Sequence, residues 1–232
     1  EVTARSVDLA APANTQTSFT LGTNQNTFRY DVGVPVSSVT VPNHLSHVNG
    51  LTAITGTAAD PTPALGLASG LSNVQVKIQR ADAQYWSPGV GWVAGLTWTS
   101  RDGGTLAAWN LSMPATAWTE TSYTIQSRAI DAAGNTESPS ASVNVTYDVT
   151  IPTAAVTPPP ANGSTYNLLP TLSGTANDPA PGVVQQVELR IKNEANGGYW
   201  NGATFVVGAG AENNWVVAAS TAAWTYPNPG TV

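Results

Sequence analysis

The chain repeats itself, and an internal repeat restricts a fold more than any single stretch does. Gly56-Thr57-Ala58-Ala59-Asp60-Pro61 returns as Gly174-Thr175-Ala176-Asn177-Asp178-Pro179. The alternation Val74, Val76, Ile78 returns as Val187, Leu189, Ile191, and Tyr85-Trp86 returns as Tyr199-Trp200. Trp109 and Trp118 match Trp215 and Trp224, each pair nine residues apart, while Trp92 matches Phe205 and Trp98 has no clear partner. Tyr30-Asp31 followed by Pro35 returns as Tyr147-Asp148 followed by Pro152, an offset of 117 residues. Features kept in one order mean a duplicated structural unit.

The unit reads as β. Val74, Val76 and Ile78 alternate with Gln75, Lys77 and Gln79, and Ile125, Ser127 and Ala129 alternate with Gln126 and Arg128. Period two with one apolar face is the pattern of half-buried antiparallel strands. Seventeen prolines and 21 glycines oppose long helices. The strands of the central unit are predicted near 38–41, 51–57, 74–80, 91–98, 105–112, 123–131 and 141–147. The fold class is therefore all-β, as tandem antiparallel sandwiches. Only 9% of residues are charged, against about 25% in ordinary soluble domains, so Thr, Ser, Asn, Gln and Gly must cover the surface.

A third match sits out of place. Arg128-Ala129-Ile130-Asp131 precedes the boundary at Tyr147, and Arg5-Ser6-Val7-Asp8 precedes the boundary at Tyr30. Residues 1–30 thus read as the last two strands, the F–G hairpin, of a preceding or neighbouring unit. Residues 31–147 read as a complete sandwich. Residues 148–232 read as a unit lacking its last two strands, completed by a hairpin equivalent to 1–30. Placing Glu1 after Val232 restores the strand order. The residues expected to take part in this completion are Val2, Ala4, Val7, Phe28, Tyr30, Trp215 and Trp224. The expected partners are identical copies or neighbouring repeats, joined head-to-tail as a covalent array or by strand donation.

At these residues the chain resembles the bacterial immunoglobulin-like repeat domains of large surface proteins and adhesins. The motifs are Asp148 with Pro152, Gly56 to Asp60, Val74 to Ile78, and the turn Asp131-Ala132-Ala133-Gly134-Asn135; Ala155 to Ser164 is similar to the opening strand and turn. The resemblance implies a seven-strand sandwich serving as spacer or adhesive module, outside the cell or on its surface. At Asp8 the chain departs from the pattern, because Leu-Ala-Ala-Pro-Ala-Asn replaces Ala-Ala-Gly-Asn.

Chemistry is sparse in the sequence. Net charge is −6 with eight Lys and Arg, so no basic patch for nucleic acid or an anionic membrane is expected. No apolar run reaches the roughly 20 residues a spanning helix needs. There is no cysteine. The chain opens at Glu1 without a leader and reads as a processed product or a fragment. His44 and His47 lack a third ligand nearby and read as a solvated loop. Asp31, Asp60, Asp131, Asp148 and Asp178 sit at strand ends and boundaries, where Asp commonly caps turns; the alternative is calcium held by hard oxygens at the junctions. No other cofactor is expected. Tyr85, Trp86, Tyr199 and Trp200 could stack on sugars, against a packing role for the same rings. Asn110, Asn144 and Asn162 open glycosylation sequons. No catalytic set converges, so the expectation is a structural or adhesive segment and not an enzyme, with a carbohydrate-binding module or hydrolase accessory domain as the alternative.

Overall fold

The computed structural model describes residues 2–7, 9–28, 30–62, 67–157 and 171–227. The chain divides into two compact units. Unit 1 comprises Glu1–Ser46, Leu51–Ala117 and Tyr123–Val145; unit 2 comprises His47–Gly50, Trp118–Ser122 and Thr146–Val232. In chain order the strands are β1 (Val2–Thr3), β2 (Gln25–Asn26), β3 (Val36–Val41), β4 (Ser46–Val48), β5 (Ala53–Ala59), β6 (Leu71–Arg80), β7 (Tyr85–Ser87), β8 (Gly91–Val93), β9 (Thr99–Ser100), β10 (Gly103–Gly104), β11 (Ala108–Ser112), β12 (Thr121–Asp131) and β13 (Val143–Tyr147). They continue as β14 (Thr153–Thr157), β15 (Leu172–Asn177), β16 (Glu188–Leu189), β17 (Tyr199–Trp200), β18 (Phe205–Val206), β19 (Val216–Val217) and β20 (Ala223–Tyr226). The ladders β1–β2, β3–β5, β5–β11, β6–β12, β14–β15, β15–β20, β16–β19 and β17–β18 are antiparallel, and the fold is all-β. Among the described residues no helix is long and apolar enough to cross a membrane.

Unit 1 buries the inner faces of two sheets. One has the order β10-β11-β5-β3; in the other, β6 lies between β12 and the pair β7 and β9, with β13 beyond β12. The alternation read from the sequence holds: Val74, Val76 and Ile78 on β6 and Ile125 and Ala129 on β12 are at most 1% exposed. They face each other in register, Ile125 opposite Ile78 and Ala129 opposite Val74. Ser127 is fully buried between them, and its hydroxyl is satisfied by Ser37 at 2.8 Å and Ser140 at 3.2 Å. Glu137 ties the same cluster to both sheets, accepting from the amides of Ser37 and Ala129, each at 2.8 Å. A buried polar group of this kind is tolerated because every member has a partner.

The repeated Gly-Thr-Ala has a packing cause. In unit 1 Gly56 lies opposite Trp109, and a Cβ there would collide with the Ser38 carbonyl and the indole of Trp109. In unit 2 Gly174 lies opposite Trp224, with the Ala155 carbonyl and the Trp224 indole in the same places. The indole N–H donates to Thr57 O at 3.1 Å in one unit and to Thr175 O at 3.2 Å in the other. The tryptophan correspondence is therefore Trp109 with Trp224, not Trp118 with Trp224. Trp98, which opens the segment into β9, matches Trp215, which opens the segment into β19. The nine-residue spacing misleads because Trp98 and Trp109 stand eleven apart, and unit 2 shortens that connection by two residues.

Two further readings change. The strand expected over 91–98 stops at Val93, where Ala94-Gly95-Leu96-Thr97 turns with the Thr97 hydroxyl on Gly95 O, and pairing resumes at Thr99. Short strands at 85–87 and 103–104 were not legible in the pattern. Unit 2 keeps β15 between β14 and β20, with β16 paired to β19 and β17 to β18. Its core is Ala176, Val187, Leu189, Trp200, Val216, Ala218 and Trp224. The opening turn read at Pro159 to Ser164, the sequon at Asn162, Asp8 at the start of the altered turn and the join of Val232 to Glu1 lie outside the described residues; the altered turn itself, residues 9–14, is closed by the Val7–Thr15 bridge.

Candidate cation site

Three strand ends of unit 1 converge, and each brings an aspartate. Asp31 leads into β3, Asp60 follows the last residue of β5, and Asp131 closes β12. Carboxylate oxygens of the three lie within 4.8 Å of one another. Asp31 is 8% and Asp131 2% exposed, and Asp60 is half-buried.

Backbone amides hold each carboxylate. Asp31 accepts from Gly33 N at 2.8 Å and Ser69 N at 2.6 Å. Asp60 accepts from Gly70 N at 2.7 Å through one oxygen, while its other oxygen is buried with no hydrogen-bond partner. Asp131 accepts from the Asn135 amide and from Asn135 Nδ2, both at 2.8 Å. The Asn135 side chain also donates to the Asp31 carbonyl at 3.2 Å, so the Asp-Ala-Ala-Gly-Asn turn fastens Asp131 to Asp31. That turn needs Gly134 at φ 95°, a left-handed conformation that side chains resist. Asp131 thus does cap its turn, and its position beside two other carboxylates is compatible with a second role.

The Ser69 hydroxyl, then its amide, hold the Asp31 carboxyl below the usual carboxylate range, with the Gly33 amide acting the same way and burial opposing. Carboxylates this close repel one another when ionised. Oxygen-only donors, converging, preorganised by amides and including one orphaned oxygen, fit a hard divalent cation.

Unit 2 carries part of the same arrangement. Asp148 accepts from Thr150 N at 3.0 Å, as Asp31 does from Gly33. Asp178 Oδ1 is buried without a partner, as Asp60 Oδ1 is. Gly182 packs against the Asp178 carboxyl so closely that a Cβ would collide. No group of three ligand side chains forms around this pair among the described residues.

The aromatic candidates divide. Trp86 and Trp200 are 9% and 7% exposed and are packed, not offered to solvent. Trp86 meets Trp92 edge-on at 5.5 Å, and Trp200 meets Phe205 at 5.2 Å, so the two strand pairs are equivalent. Tyr85 and Tyr199 are half-buried. What sequence reading missed is a pair of rings on the outer face. Trp98 lies under Arg128 at 4.3 Å and Lys77 at 5.6 Å, and Trp215 lies under Arg190 at 5.2 Å. Lys77 and Arg190 occupy the same position in β6 and in the strand around β16, which was the available signal.

Of the residues assigned to inter-unit completion, Val2, Val7, Phe28, Tyr30 and Trp215 are 51–66% exposed, and Ala4 is exposed. Trp224 is 1% exposed in the core of its own unit. It therefore offers no surface to another unit, contrary to its assignment. His44 is exposed and accepts from Asn144 N at 3.1 Å through Nδ1. Asn110 is half-buried against Gly103, which does not suit a glycan acceptor.

No family model matches the chain, and no curated protein matches it. Among solved structures it is similar to a "tetra-tandem repeat in extending region of large adhesion protein", at 18% identity and a TM-score of 0.31. That alignment covers 85% of this chain and 41% of the other, so the chain spans less than half of that protein's length. A likeness of this size carries no functional argument.

Proposed function

We propose that this chain is a repeat segment of an extracellular bacterial surface protein, non-catalytic, with a structural or adhesive role, and that its units are immunoglobulin-like. One observation carries the reading: the two units share a packing solution residue for residue. Gly56 under Trp109 and Gly174 under Trp224 are the same contact, and the repeated residues are thereby accounted for by packing. The sheet order β10-β11-β5-β3 facing β13-β12-β6 supports the immunoglobulin-like assignment, since it matches the D-E-B-A and G-F-C order of such sandwiches. Asp31, Asp60 and Asp131 hold calcium in this reading, and the ion ties three strand ends together. Stiffening of that kind suits a spacer.

The second reading, a carbohydrate-binding module or an accessory domain of a secreted hydrolase, is favoured by Trp215 at 51% exposure. Binding to immobilised polysaccharides and a glycan array separates the two. The repeat-segment reading expects no saturable binding. Saturable binding that disappears in Trp215→Ala would overturn it.

A further inference from the structure

The strand around Leu189 in unit 2 has one edge occupied and one edge open. On its occupied edge, Glu188 and Leu189 pair with Val217 and Val216, Val187 O accepts from Ala218 N, and Ile191 O accepts from Trp200 N. These are the counterparts of β9 and β7 on β6. Antiparallel pairing alternates along a strand, so the backbone groups of Gln186, Glu188 and Arg190 point to the other edge. In unit 1 that edge of β6 carries β12 over nine register pairs. In unit 2 no strand lies there among the described residues. An open edge beside a packed core is a template for strand addition.

The same chain carries a strand of matching design whose Val2 stands 59% exposed. β1 pairs β2, Val2 opposite Asn26 and Thr3 opposite Gln25. In unit 1 side-chain bonds from Ser122 to Thr146 and from Thr124 to Asn144 place β12 and β13 opposite each other in the equivalent register. The N-terminal hairpin is thus a second copy of the β12–β13 hairpin, with Val2, Ala4 and Arg5 standing where Ile125, Ser127 and Arg128 stand. Ile125 and Ser127 are fully buried, whereas Val2 is 59% exposed.

We infer that the hairpin of one copy of this chain docks on the open edge of unit 2 in another copy, in the register β12 keeps on β6. Three features beyond the edge itself select this occupant. Val2 falls opposite Ile191 and Ala4 opposite Leu189, extending the apolar face of the unit 2 core. Arg5 falls opposite Glu188. The corresponding pair in unit 1 is Arg128 with Gln75, joined at 2.8 Å, so the intermolecular version replaces a neutral acceptor with a charged one. Arg128 also covers Trp98 at 4.3 Å, and Arg5 would cover the exposed face of Trp215 in the same way. Unit 2 is charged to receive this strand. Because hairpin and edge are different surfaces of one chain, the contact is heterologous and propagates head-to-tail.

This deepens the repeat-segment reading by naming the partner. The test is sedimentation equilibrium of the full chain over a wide concentration range, with charge-reversed variants at two exposed positions. Wild type should associate beyond the monomer. Arg5→Glu alone and Glu188→Arg alone place like charges opposite each other and should each weaken association about tenfold. An equimolar mixture of the two restores opposite charges at every contact and should recover wild-type association. With Arg5→Cys and Glu188→Cys together in a chain that has no cysteine of its own, oxidation should yield disulfide-linked ladders of copies. A chain monomeric at every concentration, a mixture no tighter than its components, or a disulfide formed only within one chain would overturn the inference. Those outcomes leave the repeat-segment reading intact, which fails instead on saturable glycan binding.

Discussion

Unit 1 and unit 2 hold equivalent core residues in unequal sheets. The strand through Val76 runs ten residues, Leu71–Arg80, and is paired on both edges. The equivalent strand through Leu189 is two residues long and pairs β19 alone among the named strands. Yet Val187 and Leu189 are still 4% and 9% exposed, against 0% and 1% for Val74 and Val76. Burial of alternate side chains is therefore set by local pattern and by the facing sheet. Of the two equivalent strands, the longer is the one with hydrogen-bonding neighbours on both edges. One sequence pattern thus yields two strand lengths, according to the partners it finds.

The largest expected effect tests that distinction. Val76→Asp buries an unpaired charge between two strands and should unfold unit 1, a loss above about 4 kcal/mol. Leu189→Asp should cost clearly less, because its strand is tied along one edge and water reaches the charge more easily. Urea unfolding followed by tryptophan fluorescence, with limited proteolysis to identify the melted unit, checks both. Equal losses in the two units would break the comparison.

The Gly–Trp contact sharpens it from the other side, since here the units are alike. Gly56→Ala and Gly174→Ala each drive a methyl into a backbone carbonyl and an indole. Each should cost about 3 kcal/mol, the upper end of ordinary overpacking, because the carbonyl belongs to a paired strand and cannot swing away. Thermal denaturation of the two variants should show matched losses. A tolerated substitution in either unit would mean that the strands slide there.

Much of this architecture is legible in the amino-acid sequence. Alternation at Val74–Ile78 and Ile125–Ala129 identifies both the strands and their inward faces, because a period of two leaves only one face for the core. The carboxylates at strand ends are readable as turn caps, and their position at junctions suggests calcium. That Asp31, Asp60 and Asp131 meet is not readable, because they lie far apart in the chain and only the sheet order brings them together. The tryptophan alignment fails for a related reason. Equal spacing carries less information than the neighbours of each ring, and the glycine beneath Trp109 and Trp224 is the better guide. Trp86 and Trp200 resist assignment because an aromatic in a short hairpin packs inward or outward according to its facing sheet.

Calcium should separate the units again, by a smaller amount. If the three carboxylates hold the ion, calcium at ten times its dissociation constant adds about 1.4 kcal/mol to unit 1 by mass action. The gain should vanish in Asp60→Asn, which weakens the orphaned donor without changing its shape. Unit 2, with Asp148 and Asp178 and no third ligand among its described residues, should not respond in the same titration. Differential scanning calorimetry with calcium and with chelator resolves the two transitions. A calcium-induced rise in the unit 2 transition, or a rise in unit 1 that survives Asp60→Asn, would show that the ion sits elsewhere.

The smallest effect concerns acid. The Ser69 hydroxyl keeps the Asp31 carboxyl below its ordinary range. A carboxyl whose folded value lies below its unfolded one, about 3.9, stabilises the fold in full above that value. It loses the contribution as pH falls through the folded value. Unit 1 should therefore weaken between about pH 4 and lower pH, beyond whatever general protonation does to both units. Counting back from the match of Val74 with Val187, Ser69 falls at Gly182, which has no hydroxyl. Ser69→Ala should then raise the Asp31 titration toward the ordinary value while the Ser69 and Gly33 amides continue to hold part of the shift. Carbon-13 NMR of the Asp31 carboxyl against pH measures this without reference to global unfolding. A titration curve unchanged by Ser69→Ala would mean that the amides alone hold the carboxylate, and that the two units differ at this corner only in the number of aspartates.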